Sequence, residues 1–139
     1  MILQAVQIGI LSGYLFKITA KYGVQRSLSH SYYTSEKPWF RLMCMGIGVP
    51  FLFYYDLWFY IAGISFIMVG ITDDYMGRKS VWWIHNIFGV VGFLAALIGV
   101  GWIYLVIFLI LSFSIIADKN RLWWSEVIGA AIIMSALLS

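Results

Sequence analysis

Long apolar stretches separated by short polar segments make up almost the whole chain of 139 residues. A helix needs roughly 17–25 mostly apolar residues to cross a bilayer, and the pattern predicts six such helices. The apolar run over residues 80–117 is too long for one span at about 1.5 Å per residue, so we place a break at residues 99–101. The predicted helices cover about residues 2–22, 39–55, 57–73, 80–98, 102–117 and 122–138.

Composition favours lipid as the solvent of these helices. Hydrophobic residues make up 63% of the chain and charged residues 11%, whereas soluble domains carry about a quarter charged residues. The mean hydropathy is +0.91, and a soluble fold of this size could not bury so much apolar surface. We therefore predict an all-α fold, one transmembrane helical domain over residues 1–139, with membrane lipids as partners.

The basic residues are distributed unevenly along the chain. All nine lie in or beside the first, third and fifth loops between predicted helices: Lys17, Lys21, Arg26, Lys37, Arg41, Arg78, Lys79, Lys119 and Arg121. The net charge of +3 therefore indicates membrane topology rather than nucleic-acid binding. The positive-inside rule predicts that these three loops are cytoplasmic and that both termini are outside. The N-terminal stretch lacks a basic n-region, so we interpret it as a retained helix rather than a signal peptide.

Asp56 is predicted at the end that holds both termini, and the other ionisable residues are predicted to lie at the same end as the basic loops. Asp73 and Asp74 end the third predicted helix, His85 is near the start of the fourth, and Glu126 is near the start of the sixth. Ionisable residues inside a membrane are expensive, and they usually face the bundle interior and often carry function. The structural alternatives stay open: a neutral hydrogen-bonded His85, a solvated helix end at the two aspartates, and a salt bridge at Glu126.

Small residues recur at helical spacing beside these groups. They let membrane helices approach closely, so we expect the ionisable side chains to face a tightly packed centre rather than lipid. The stripes are His85, Gly89, Gly92 and Ala96; Gly63, Gly70 and Asp74; Glu126, Gly129 and Ala130; and, on the first helix, Gly9, Gly13 and Lys17.

The first loop contains an unusually polar stretch, RSLSHSYYTSEKPW, which we name the hydroxyl-rich segment (residues 26–39). Buried ionisable groups need hydrogen-bond partners, and the neighbouring predicted helix faces offer few. We therefore expect Ser27 and Ser29 to bond into a site made by Asp74, His85 and Glu126, with Ser29 among the catalytic candidates. The candidate binding residues are Ser27, His30, Tyr32, Tyr33 and Asp73. The serines could instead cap the second predicted helix.

Four pieces of the sequence, SLSHSYY, FIMVGITDD, HNIFG and WWSEVIG, resemble small polytopic membrane proteins of phages and bacteria that have no assigned function. The S-x-S-x-x-Y-Y signature, here Ser27, Ser29, Tyr32 and Tyr33, is its most specific part. The resemblance implies a viral or bacterial source, with the bacterial inner membrane as the expected location, and it implies no activity.

A fainter resemblance is to the CREST membrane hydrolases, which set a serine, an aspartate and histidines around zinc at one membrane face. Ser29 or Ser27, Asp74 and His85 would be the counterparts here. The paired histidines of their last helix are absent, and Glu126 stands where one would be sought. Since a catalytic zinc normally has three protein ligands, the resemblance implies a zinc hypothesis with His30, His85 and Asp74 as ligands.

Three classes of function remain open from the sequence. The first is a membrane-embedded hydrolase acting on a lipid or amide, the second a small channel or proton-coupled transporter, and the third a non-catalytic phage membrane protein, holin-like or host-interacting. No G-x-S-x-G, H-E-x-x-H or P-loop motif is present, so whether the protein is an enzyme is left open. A homo-oligomer fits all three classes.

Overall fold

The computed structural model describes residues 2–34, 37–72 and 76–139, which form helices, turns and loops with no strand. This confirms the all-α prediction for the part described. Six long helices follow the predicted order, and a single extra turn of helix lies within the hydroxyl-rich segment. The helices are α1 (Ile2–Tyr22), α2 (Ser31–Thr34), α3 (Lys37–Phe51), α4 (Leu57–Ile71), α5 (Lys79–Val100), α6 (Trp102–Ser114) and α7 (Arg121–Leu138).

One helix end lies at a glycine, and another lies beside a proline. The break in the long apolar run lies at Gly101, whose φ of +130° is readily adopted only by glycine. α3 ends at Phe51, earlier than expected, one residue after Pro50. Tyr55 then takes a φ of +53°, and Asp56 caps α4 by accepting a hydrogen bond from the Trp58 N–H at 2.8 Å. This cap fixes where the helical hairpin turns.

The long helices form a ring with one helix outside it. α4 packs between α3 and α5, α1 contacts α3 and α7, and α7 also contacts α5. α6 lies against α5 and α7 and has no buried residue. The ring therefore encloses a centre that five helices share, with α6 covering one seam.

Close helix contacts occur at some of the predicted small residues and not at others. A Cβ on Gly63 would lie 2.7 Å from the Gly48 carbonyl oxygen, and one on Gly92 would lie 3.0 Å from the Ser65 Cβ. Gly9, Gly13 and Gly89 have open space around the same position. The stripe expected on the first helix is therefore not a packing surface within the described structure, and Gly89 faces a gap rather than a helix.

Two glutamines of α1 tie together the end of the bundle that contains both termini. The Gln4 Nε2 donates to the Leu137 carbonyl oxygen at 2.8 Å, and the Gln7 Nε2 donates to the Ile47 carbonyl oxygen at 2.8 Å. The ends of α7 and α3 therefore lie beside the start of α1. The loops that carry the basic residues are at the opposite end.

Three helices of the described structure are long and apolar enough to cross a membrane: α1, α5 and α7, with 21, 22 and 18 residues. α4 and α6 are apolar but shorter, with 15 and 13 residues. At about 1.5 Å per residue α1, α5 and α7 measure roughly 27–33 Å, which matches a hydrocarbon core of about 30 Å.

Candidate functional site

A cavity of about 520 Å³ occupies the centre of the ring. α5 lines it from Trp82 to Leu94 and α7 from Leu122 to Met134. Each stretch advances twelve residues, or about 18 Å along its helix axis. Val90 and Leu122 line the cavity yet are 60% and 61% exposed. The cavity wall therefore includes side chains that lie at the exposed surface of α5 and α7.

The wall of the cavity changes from polar to apolar along its length. His85 and Asn86 on α5, and Ser125 and Glu126 on α7, lie in the first two turns of their helices. Ser27 and Ser29 of the hydroxyl-rich segment line the same end. The deeper wall is made of glycine, alanine, aliphatic, methionine and phenylalanine side chains: Gly89, Val90, Phe93, Leu94, Ala130, Ile133 and Met134.

The hydroxyl-rich segment contacts the half-buried Glu126 through its main chain. The Leu28 N–H donates to the Glu126 Oε2, and the Leu28 side chain is buried in the core. We had expected a serine hydroxyl in this role. The segment therefore does reach the carboxylate, but it supplies a backbone donor, whose position depends on the fold of the segment rather than on a side-chain rotamer.

Internal hydrogen bonds give the segment its shape. The Ser27 Oγ accepts from the His30 N–H at 3.0 Å, which caps the turn that leads into α2. The Ser31 hydroxyl donates to the Leu28 carbonyl oxygen and lies 2.5 Å from the Tyr14 hydroxyl oxygen. Because Ser31 is fully buried, it anchors the segment to α1 and holds the Leu28 N–H toward Glu126.

His85 is buried and held by a neighbour that sequence reasoning missed. Its Nδ1 lies 3.0 Å from the Thr72 Oγ1, and that hydroxyl also lies 2.9 Å from the Val69 carbonyl oxygen. If the Thr72 hydroxyl donates its one proton to the carbonyl, it accepts from the Nδ1–H, and Nε2 then carries the acceptor lone pair. The Phe40 ring stacks on the imidazole with centroids 6.3 Å apart.

The other candidate residues of the segment surround the cavity rather than line it. Tyr32 is buried, with its ring centroid 5.8 Å from that of Phe40. The Tyr33 hydroxyl accepts from the Met76 N–H at 2.8 Å and so joins the first loop to the third. The His30 ring lies 6.3 Å from the Tyr33 ring. Tyr32, Tyr33 and His30 therefore contribute to the packing of the segment.

Asp73 and Asp74 lie outside the described residues, so their predicted roles are neither supported nor opposed. Among residues 2–34, 37–72 and 76–139, no three His, Cys, Asp or Glu side chains come together as metal ligands. His30 is not among the residues of the cavity wall. The zinc hypothesis needs Asp74 and therefore stays a prediction.

Several residues of the polar end were not among the candidates: Thr72, Asn86, Ser125 and the Leu28 N–H. Two of them had a sequence signal, since Asn86 follows His85 and Ser125 precedes Glu126. The position of a backbone N–H has no such signal, because any residue supplies one.

Comparison with protein-family models, with curated proteins and with solved structures found no match.

Proposed function

We propose that this chain is an integral membrane protein. The exposed surface of its helices supports this, because large apolar side chains cover it. On α6, Ile103, Ile110 and Phe113 are 63%, 64% and 74% exposed, and neither α4 nor α6 contains a charged residue. Soluble monomers rarely expose contiguous apolar patches above a few hundred Å². Lipid tails would cover this surface without cost.

We assign the protein to the bacterial inner membrane, encoded by a bacterium or a phage, with both termini outside the cytoplasm. The charge distribution supports this orientation. The hydrogen bonds from Leu28 to Glu126 and from Met76 to Tyr33 bring the basic loops to one end. The ends of α3 and α7 lie at the other, where Asp56 begins α4.

Within the membrane, we propose that the cavity holds one lipid-like amphiphile. The observation that carries this is the change from polar to apolar wall over about 18 Å of α5 and α7. The head of an amphiphile would meet Glu126, Asn86 and the serines, and its chain would lie along the deeper apolar wall. The volume of about 520 Å³ is in the range of ligand sites, roughly 300–1,000 Å³. An amphiphile would enter from the bilayer beside the exposed lining residues Val90 and Leu122.

The chemistry that fits the polar end is hydrolysis of an ester or amide in the bound amphiphile. Glu126 would act as the general base. It would take a proton from water as the water oxygen bonds to the carbonyl carbon, and then return the proton to the leaving oxygen or nitrogen as that bond breaks. The products are a carboxylic acid and an alcohol or amine. His85 would serve as a hydrogen-bond partner for the substrate at the same end.

A conduit or a holin-like lesion is less well supported by the cavity. From Gly89 to Leu94 the α5 wall offers no polar group, so an ion or proton would have no partner past the first turns. A separate pocket at the terminal end is lined by Ile2, Leu3, Gln4, Phe53 and Tyr54 and shares no residue with the central cavity. A deep wall without polar groups fits a bound apolar chain better than a path for ions.

Filling the cavity tests the binding function. Gly89 lines the cavity and has open space beyond its Cα, so Gly89→Leu should fill the deep wall without a clash. Native mass spectrometry of the purified protein titrated with dodecanol should show one bound alcohol in the wild type, and binding about tenfold weaker in Gly89→Leu. Gly13→Leu is the matched control, because Gly13 also has open space but lies on the exposed face of α1. Equal binding by all three proteins would contradict the proposal.

The hydrolytic step has a separate readout. Release of nitrophenol from p-nitrophenyl dodecanoate should be lost in Glu126→Gln and retained in Gly13→Leu. If the wild type binds dodecanol but releases no nitrophenol from this ester and no aniline from dodecanoyl anilide, the hydrolase assignment is wrong and the binding function stands.

A further inference from the structure

Among the described residues, the polar end of the cavity contains one carboxylate, one histidine (His85) and no lysine or arginine. Glu126 is the single acidic residue among those that line the cavity in the described structure, and no lysine or arginine lines it. The residues outside the described part include no basic side chain either: Met1, Ser35, Glu36, Asp73, Asp74 and Tyr75. A lysine or arginine, which would supply the permanent opposite charge that stabilises a buried carboxylate, is therefore absent from the cavity wall in the described structure.

The one hydrogen bond recorded for the Glu126 carboxylate, within the described part of the chain, comes from the Leu28 N–H to Oε2. A carboxylate has about four acceptor positions on its two oxygens, so one donor leaves most of them unused. Ser125 and Asn86 line the same end, and both carry groups that can hydrogen-bond to a ligand head. A ligand that brings both positive charge and N–H donors would complete the site.

Aromatic rings flank the same end of the cavity. Phe40 stacks on His85, and Trp82 lies one helical turn before Asn86 on α5; both rings line the cavity. Aromatic faces attract cations, and the attraction is stronger where water is excluded. Phenylalanine offers no comparable attraction to an anionic head, and tryptophan offers an anion only its single indole N–H. The aromatic wall and the carboxylate therefore favour the same sign of ligand charge.

We infer, on the basis of the amphiphile binding proposed above, that the ligand head is a cationic amine and that the cavity excludes anionic heads such as phosphate. The ammonium group donates to the Glu126 carboxylate and lies against the Phe40 and Trp82 rings. Its apolar chain lies along Gly89 and the deeper wall. A phosphate head in the same place would meet the Glu126 carboxylate and no lysine or arginine, so it would be repelled.

The test compares three probes that share one chain and differ in the head: dodecylamine, dodecanol and monododecyl phosphate. The amine is protonated at neutral pH, as a lysine side chain is. Each probe is titrated by native mass spectrometry into the purified protein in an uncharged detergent. Because charge-assisted hydrogen bonds are the stronger ones, the amine should bind about tenfold or more tighter than the alcohol. The phosphate should bind more weakly than the alcohol.

Substitutions at the polar end test whether Glu126 causes the preference for the amine. Glu126→Gln should bind the amine and the alcohol about equally, whereas Glu126→Asp keeps the charge and should keep the preference. Asn86→Lys adds a cation at the same end that can pair with the Glu126 carboxylate, so it should remove the preference for the amine. If Glu126→Gln does not fold, Asn86→Lys tests the same charge effect. The order in which the wild type binds the three probes is also a test. Helix content by circular dichroism identifies variants that do not fold.

The outcomes separate the two proposals. If dodecanol binding weakens in Gly89→Leu but the amine is not preferred over the alcohol, the cavity binds amphiphiles and the inference about the head is wrong. An amine preference that Glu126→Gln leaves unchanged also overturns it, because the charge would then act from elsewhere. If Gly89→Leu affects none of the three probes, the binding function itself fails, and the inference fails with it.

Discussion

The contact between the hydroxyl-rich segment and Glu126 is made by a backbone group. The Leu28 N–H reaches Glu126, and Ser31 fixes that turn by donating to the Leu28 carbonyl oxygen and contacting Tyr14. A serine hydroxyl was expected in the place of the Leu28 N–H, because the sequence shows side chains and not main-chain positions. The ionisable residue and the segment that meets it could be predicted, whereas the atom that makes the contact could not.

The buried Gln7 gives the clearest prediction at this scale. It is fully buried; its Nε2 donates to the Ile47 carbonyl oxygen at 2.8 Å, and its Oε1 accepts from the Tyr54 hydroxyl at 3.1 Å. Burial raises the pKa of the Tyr54 phenol, so it stays a donor at neutral pH. Gln7→Ala leaves both partners unsatisfied and should lower the free energy of unfolding by about 1–3 kcal/mol, measured by denaturation in mixed micelles.

A double-mutant cycle tests whether the hydrogen bond between Gln7 and Tyr54 accounts for part of this loss of stability. Tyr54→Phe removes one hydroxyl and should cost less than Gln7→Ala. The two changes together should cost less than the sum of the single effects, because they share a hydrogen bond. Strict additivity would show that the Gln7–Tyr54 contact contributes nothing to stability.

At the scale of helices, hydropathy predicted the order of the six long elements, and glycine spacing predicted only part of their packing. Gly63 and Gly92 do lie at close helix contacts. Gly89 faces the cavity instead, and Gly9 and Gly13 face outward. A small residue permits close approach, but the partner helix decides whether the approach takes place. The partner of Gly63 is Gly48, which had no place in the predicted stripes.

The contact between α3 and α4 should therefore tolerate no added methyl group. In Gly63→Ala the new Cβ would lie 2.7 Å from the Gly48 carbonyl oxygen and 2.8 Å from the Leu52 Cδ2, so the backbones must separate. The free energy of unfolding should fall by about 1–3 kcal/mol. Gly9→Ala is the control, because its Cβ meets nothing within 4 Å and alanine favours a helix interior by about 0.5–1 kcal/mol. Equal stability of the two variants would contradict the packing.

At the scale of the whole molecule, the ring of α1, α3, α4, α5 and α7 encloses a cavity that no single segment of the sequence predicts. The cavity draws its wall from all the long helices and from the hydroxyl-rich segment. Its position follows from which helices are neighbours, and hydropathy carries no information about neighbours. The charge distribution is informative at this scale, because it distinguishes the two ends of the molecule even when the neighbours of each helix are unknown.

That separation leads to the last prediction, which concerns orientation in the membrane. The single native cysteine, Cys44, is buried, so an added cysteine should dominate labelling by a membrane-impermeant maleimide. In intact cells Ser139→Cys should be labelled and Lys79→Cys should not, because the nine basic residues should hold their end in the cytoplasm. Both positions are exposed, so permeabilised cells, in which both should react, serve as the control. Labelling of Lys79→Cys in intact cells would reverse the orientation and put the polar end of the cavity outside.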